Sequence, residues 1–329
     1  MKLLLTHTPQ ARRQYYGERA LAALRGLAEV RLHEAEQPLD PAGLMAAAEG
    51  ADLIVADRAT AVPAASLQRL PVLQAVLRVA VDIRNIDVAA ASAAGVLVTR
   101  ANPGFMTAVA ELAIGFLVDL SRGISRATVD YQVGRVPEVR IGRELAGATA
   151  GLIGYGAIAR RLTPLLTAFG MHVLATDPYA RIDDGAVEPV ALPELLARSD
   201  YVICLAVATA ETENLISAAA LARMRPDACL VNLSRGELVD EVALAAALRE
   251  GRIAGAALDV GRAPDQMPSP ALAACPNVIA TPHIGGLTPQ AAEAQAFDTV
   301  RQVEAILRGE IPQGAVNAAQ WTRKPAVRA

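Results

Sequence analysis

The feature that most narrows what this chain can fold into is "ATAGLIGYGAIARRLTPLLTAF", residues 148–169. An apolar, strand-like run ends in glycine, and helical spacing begins directly after it. Gly154, Gly156 and Ala159 stand at the G-x-G-x-x-A spacing. In that context Gly154 permits a tight turn, Gly156 leaves room for a pyrophosphate, and Ala159 lets the helix pack close to the strand. Backbone N–H groups near Ala157 and Ile158 would then face phosphate at the helix N-terminus. The spacing alone is weak evidence; a strand before it and a helix after it strengthen it. The next strand-like run, "MHVLATDP", ends in Asp177. A carboxylate there accepts ribose hydroxyls and repels a 2′-phosphate, which favours NAD over NADP. Arg181, close in sequence, leaves some NADP use open.

The rest of the chain repeats this alternation of short apolar runs and helical patterns. "KLLLTH", "ADLIVA" and "GVLVTR" lie in the first hundred residues, and "YVICLA", "ACLVNLS", "GAALDV" and "NVIATP" follow the glycine motif. Such alternation predicts an α/β fold with parallel sheets covered by helices. A length of 329 residues suggests two domains. "YQVGRVPEVRIGRELAG" breaks the periodicity as a boundary or irregular arm, and the tail "IPQGAVNAAQWTRKPAVRA" reads as irregular. With aromatics at only 3%, Ala, Leu and Val must fill the cores.

Several function classes are disfavoured. A net charge of −3 leaves no nucleic-acid footprint. The apolar helix "AVAELAIGFLVDL" is interrupted by Glu111 and is too short to span a bilayer. Cys204 and Cys229 lie in apolar runs and, with Cys275, form no disulfide framework; a reduced, cytoplasmic setting is expected. The start "MKLLLTHTPQ" is too short in its apolar run for a signal peptide. His7, His33 and His172 make no metal-ligand pattern and read as structural or exposed.

Taken together, "GLIGYGAIA", "LVNLSRGELVDEVALAAALREGRIAGAALDV" and "NVIATPHIGG" resemble the D-isomer-specific 2-hydroxyacid dehydrogenases, over about residues 45–310. The resemblance implies two Rossmann-like or flavodoxin-like parallel-sheet domains with an intervening cleft. Residues 101–287 would be the NAD-binding domain, and 1–100 with 288–329 the substrate domain. It also implies a homodimer and the interconversion of a small 2-keto acid and its D-2-hydroxy acid, with glyoxylate and hydroxypyruvate as candidates. The family's arginine falls on Arg235, which would hold the substrate carboxylate and polarise the keto oxygen. The family's proton-transferring histidine falls on His283. Asp259 matches the aspartate that contacts the nicotinamide carboxamide. Val207, Thr212, Leu233, Ser234, Gly285 and Gly286 complete the implied cofactor lining.

Three departures qualify that picture. The glutamate that partners the family's histidine is replaced by Pro264, with Asp265 next to it. Either a shifted loop lets Asp265 reach His283, or another group does the work, or turnover is weakened. The third possibility opens a reading as an NAD-sensing interaction protein. In "LRVAVDIRNID", side chains replace the glycines of the family's substrate loop. Val79, Ala80 and Val81 are the candidates for that loop. Asp82 turned inward would repel a carboxylate and Arg84 would attract one. A larger or phosphorylated 2-hydroxy acid is the alternative substrate, with Arg84 or Arg262 supplying charge. Finally, Val207 and Ala210 stand where the family often has prolines.

Overall fold

The computed structural model describes residues 1–275 and 277–325, apart from the side chain of Asp265. The chain divides into two compact units, the first Met1–Phe105 with the segment from Thr288 onward, the second Met106–Leu287. Each unit is built on its own parallel sheet, which is the expected α/β class.

The first unit contains β1 (Lys2–Leu5), β2 (Glu29–Leu32), β3 (Leu53–Ala56), β4 (Ala75–Arg78) and β5 (Leu97–Arg100). Their order is β2-β1-β3-β4-β5, and every pairing is parallel. This is the flavodoxin-like order, with its switch point between β1 and β3. β3 and β4 are buried along their whole length, as central strands covered on both faces must be. Helix Pro289–Leu307 returns from the second unit's end of the chain and buries Ala296, Val300, Val303 and Ile306 against this sheet.

Through residue 325 the tail has almost no regular structure, as read from the sequence. Its spacing is irregular, yet it is seated on the first unit. Val316 donates its N–H to Val98 O at 2.9 Å, extending past β5. Asn317 is buried and accepts from Val98 N at 2.8 Å. Trp321, 3% exposed, joins the core and donates Nε1–H to Gln74 O at 3.1 Å. Polar, glycine-containing sequence hides such a segment because one aromatic anchor and backbone bonds hold it, not a repeating apolar face.

The second unit contains β6 (Thr149–Ile153), β7 (His172–Thr176), β8 (Val187–Pro189), β9 (Tyr201–Cys204), β10 (Cys229–Asn232), β11 (Gly255–Leu258) and β12 (Val278–Ala280). The order is β12-β11-β10-β9-β6-β7-β8, again all parallel. Its switch point lies between β6 and β9, so the glycine turn that follows β6 sits where open α/β sheets bind ligands. The core is as aromatic-poor as the composition requires: Leu leads it, followed by Ala, with Ile and Val behind. No helix among the described residues is long and apolar enough to cross a membrane.

Candidate active site

The glycine turn fits a dinucleotide. Gly154 has φ +92°, and a Cβ there would stand 2.7 Å from Ala206 N, so the turn after β6 and the loop after β9 approach too closely for any side chain. A Cβ at Gly156, by contrast, would meet nothing within 4 Å. Gly156 is the N-cap of helix Ala157–Ala168, and no side chain caps that end. The helix therefore presents Ala157 and Ile158 with their N-terminal N–H groups toward open space, the arrangement that receives phosphate. Ala159 is fully buried beneath them.

Asp177 follows β7 as expected, but its carboxylate is already at work. It accepts from Tyr155 N at 2.7 Å and from Tyr179 N and Ala180 N at 2.8 Å each. Burial pushes its pKa up, but these three donors outweigh burial and hold it below the usual aspartate range. A carboxylate offers about four lone-pair sites, so this one has room for roughly one more donor rather than a pair of hydroxyls. Thr212 also serves its own loop, accepting from Thr209 N at 2.8 Å and donating to Val207 O at 2.8 Å. Val207 is 77% exposed. Leu233 is buried, and the Ser234 hydroxyl is tied to Ala206 O, which joins the ends of β9 and β10.

Arg235, Asp259 and His283 follow the ends of three adjacent strands. Asn232 of β10 pairs with Leu258 of β11, and Leu258 pairs with Ala280 of β12. The three loops therefore leave one sheet edge side by side, with β10 and β12 about 10 Å apart. Arg235 caps the short turn Gly236–Leu238, donates Nη1–H to Ser234 O at 2.7 Å and accepts Asn232 Nδ2–H at 2.9 Å on its carbonyl. His283 holds a left-handed backbone, φ +54°, which costs a non-glycine residue on the order of 1 kcal/mol. Asp259 is 3% exposed and accepts from Thr281 Oγ1 at 2.6 Å, Ile284 N at 2.8 Å and Gly285 N at 2.8 Å. Gly286 lies beyond, exposed. The sequence reading assigned Asp259 to the cofactor and gave no sign of this grip on the histidine turn.

Pro264 and Asp265 lie in the short turn Pro264–Gln266. The side chain of Asp265, the expected partner of His283, lies outside the described residues. Arg262 is engaged within its own unit, donating to Glu213 Oε1 and Asn214 Oδ1 at 2.8 Å and to Glu237 O at 2.9 Å.

In the first unit the candidate loop follows β4. Val79 belongs to the core rather than to an open loop: it is 6% exposed, and its N–H goes to Ala56 O. Ala80 and Val81 are partly exposed, and among the described residues no acceptor takes the N–H of either. Asp82 and Arg84 face each other, with Arg84 Nη2 2.7 Å from Asp82 Oδ2. Beneath them lies a buried polar group that the sequence did not announce. Asp57 accepts from Thr6 Oγ1 and Thr60 N at 3.0 Å each, and Arg78, 4% exposed, donates to Asn85 Oδ1 at 3.2 Å. His7, read as structural or exposed, is 1% exposed. Burial lowers its pKa to about 4, against an opposing pull from Asp57. Burial likewise lowers Arg78 to about 10. The signal was present only as polar residues ending apolar runs.

Comparison with known proteins agrees with this geometry. Residues 114–285 match the model of the D-isomer specific 2-hydroxyacid dehydrogenase NAD binding domain. The chain is 37% identical over 301 residues to D-3-phosphoglycerate dehydrogenase of Mycobacterium leprae, covering 90% of this chain and 56% of that protein. It is 35% identical over 260 residues to hydroxypyruvate reductase of Thermotoga maritima, covering 78% of this chain and 84% of that one. The apo-structure of D-lactate dehydrogenase from Escherichia coli superposes with a TM-score of 0.81 at 28% identity, over 96% of this chain and all of that one. The chain spans about half the length of the phosphoglycerate dehydrogenases it matches.

Proposed function

Given that the chain belongs to the D-isomer specific 2-hydroxyacid dehydrogenases, we propose that it interconverts a small 2-keto acid and its D-2-hydroxy acid with NAD. The observation that carries this reading is the presence of Arg235, Asp259 and His283 on the neighbouring ends of β10, β11 and β12. NADH, held by the glycine turn, would supply a hydride to C2 of the keto acid. The Arg235 guanidinium grips the substrate carboxylate in a bidentate fork and polarises the keto oxygen. His283 gives its proton to that oxygen in reduction and takes it back in oxidation. The glycine turn and the uncapped helix N-terminus hold the pyrophosphate. Ala80 and Val81 are the proposed substrate contacts of the first unit, through their N–H groups.

Glyoxylate and hydroxypyruvate are the proposed substrates, and a phosphorylated acid is the second reading. The phosphoglycerate dehydrogenase relative favours the second. Against it, the two arginines that would supply charge are engaged elsewhere, Arg84 by Asp82 and Arg262 by Glu213. NADH oxidation with a panel of 2-keto acids tests both. Turnover with glyoxylate or hydroxypyruvate is expected. NADH binding without turnover on any acid would defeat the reading and leave the NAD-sensing one.

A homodimer built on the second unit is part of the proposal. Helix Ile124–Gln132 has no buried residue, and Tyr131, Val136, Val139 and Ile141 are from 68% to fully exposed. A row of apolar side chains in water calls for a covering surface. Val136→Asp with Val139→Asp is expected to yield monomers in sedimentation; an unchanged mass would remove this segment from the interface.

A further inference from the structure

We infer that Asp259 is the positioning residue of His283: its carboxylate holds the histidine's turn in shape. The inference rests on the proposed role of His283 in proton transfer. β12 is three residues long and lies at the end of the sheet. Past Ala280 the chain makes one more bond to β11, from Thr281 N–H to Leu258 O at 3.0 Å, and two residues on His283 keeps a left-handed backbone. Nothing in its own sequence favours that conformation as glycine would. The carboxylate of Asp259, directly after neighbouring β11, continues the hold where that ladder ends. It binds the chain on both sides of the histidine: Thr281 through its hydroxyl, Ile284 and Gly285 through their N–H groups. Three charge-assisted bonds at a buried anion are strong and directional. The turn is drawn in so tightly that a Cβ on Gly285 would stand 2.8 Å from Asp259 Oδ2.

The test separates this role from a cofactor contact. Asp259→Asn keeps the shape but turns an NH2 group toward donors. Its kcat at saturating NADH is expected to fall about a hundredfold, as for a misplaced reacting group, while the NADH Kd from fluorescence stays within about threefold. Thr281→Val removes one strut and is the check should Asp259→Asn not fold. It should lower kcat about tenfold, and Thr281→Ser should restore kcat to within about twofold of the parent. Hydrogen exchange at the Ile284 and Gly285 amides, measured on the full chain, should quicken in Asp259→Asn and Thr281→Val. If Asp259→Asn weakens NADH binding tenfold or more and spares kcat, or if both variants leave exchange unchanged, the inference is overturned. Should the parent protein turn over no keto acid, the proton-transfer reading fails. The amide exchange still decides the clamp: faster exchange upholds it, and unchanged exchange overturns it.

Discussion

The carboxyl edges of the two sheets share an architecture and differ in how they treat their polar groups. In the second unit the edge is open. Gly156 borders empty space, the helix after it has no side-chain cap, and the loops carrying Arg235 and His283 leave the strands on either side of β11. In the first unit the edge is filled. Thr6, Asp57, Arg78 and Asn85 bond to one another, and His7 is buried near the same Asp57. Parallel sheets place both edges at potential ligand sites. What distinguishes them is the open glycine turn and uncapped helix N-terminus of the second unit, against the buried Thr6–Asp57–Asn85–Arg78 group of the first.

Variants can break that contrast, beginning with the largest effect. His283→Ala should lower kcat by roughly 10³-fold while NADH still binds, and Arg235→Ala should lower kcat and raise the substrate KM together. Loss of NADH binding in His283→Ala, seen by fluorescence titration, would contradict an edge whose cofactor and proton-transfer parts are separable. Next, Gly154→Ala should destabilise the second unit by about 3 kcal/mol or prevent its folding, because the new Cβ meets backbone and the φ is left-handed. A parent-like urea midpoint would show that the turn relaxes.

A comparable effect tests the filled edge. His7 titrates near 4 when folded, below its unfolded value, so its neutral form is what the fold retains. Its contribution is full above about pH 6.5 and is lost as pH falls toward 4, roughly 3 kcal/mol in all. His7→Gln should flatten that part of the stability curve, measured by urea unfolding from pH 7 to 4; an unchanged slope would place the titration elsewhere. The smallest effect belongs to the Asp82–Arg84 pair. Arg84 is 70% exposed, so Arg84→Ala should cost less than about 1 kcal/mol of stability. It should raise the keto-acid KM only a few-fold, since it removes one cation beside Asp82; a KM rise of a hundredfold would make Arg84 a direct substrate contact.

Much of the second unit's edge was legible because its signals are local. A G-x-G-x-x-A turn between strand and helix is recognisable without knowing which strands are neighbours, whereas Arg235 and His283 were picked out by the resemblance to a family. The resemblance singled out Asp259, but its hold on the histidine turn was not legible, since its partners lie beyond another strand. Val79 reads as part of a loop, yet its side chain completes the first unit's core. The Asp82–Arg84 pair is close in sequence, but only the bend of the loop brings the two charges together.

Alone, the sequence determined the alternation of strands and helices, the aromatic-poor cores and the turn that leaves room for a phosphate, because each follows from residues a few positions apart. Strand order, the burial of His7 and Arg78, the seating of Trp321 and the grip of Asp259 on the histidine turn were decided only in the tertiary structure. Hydrogen bonding and desolvation depend on which groups meet in space, and residues 22 to 247 positions apart meet here.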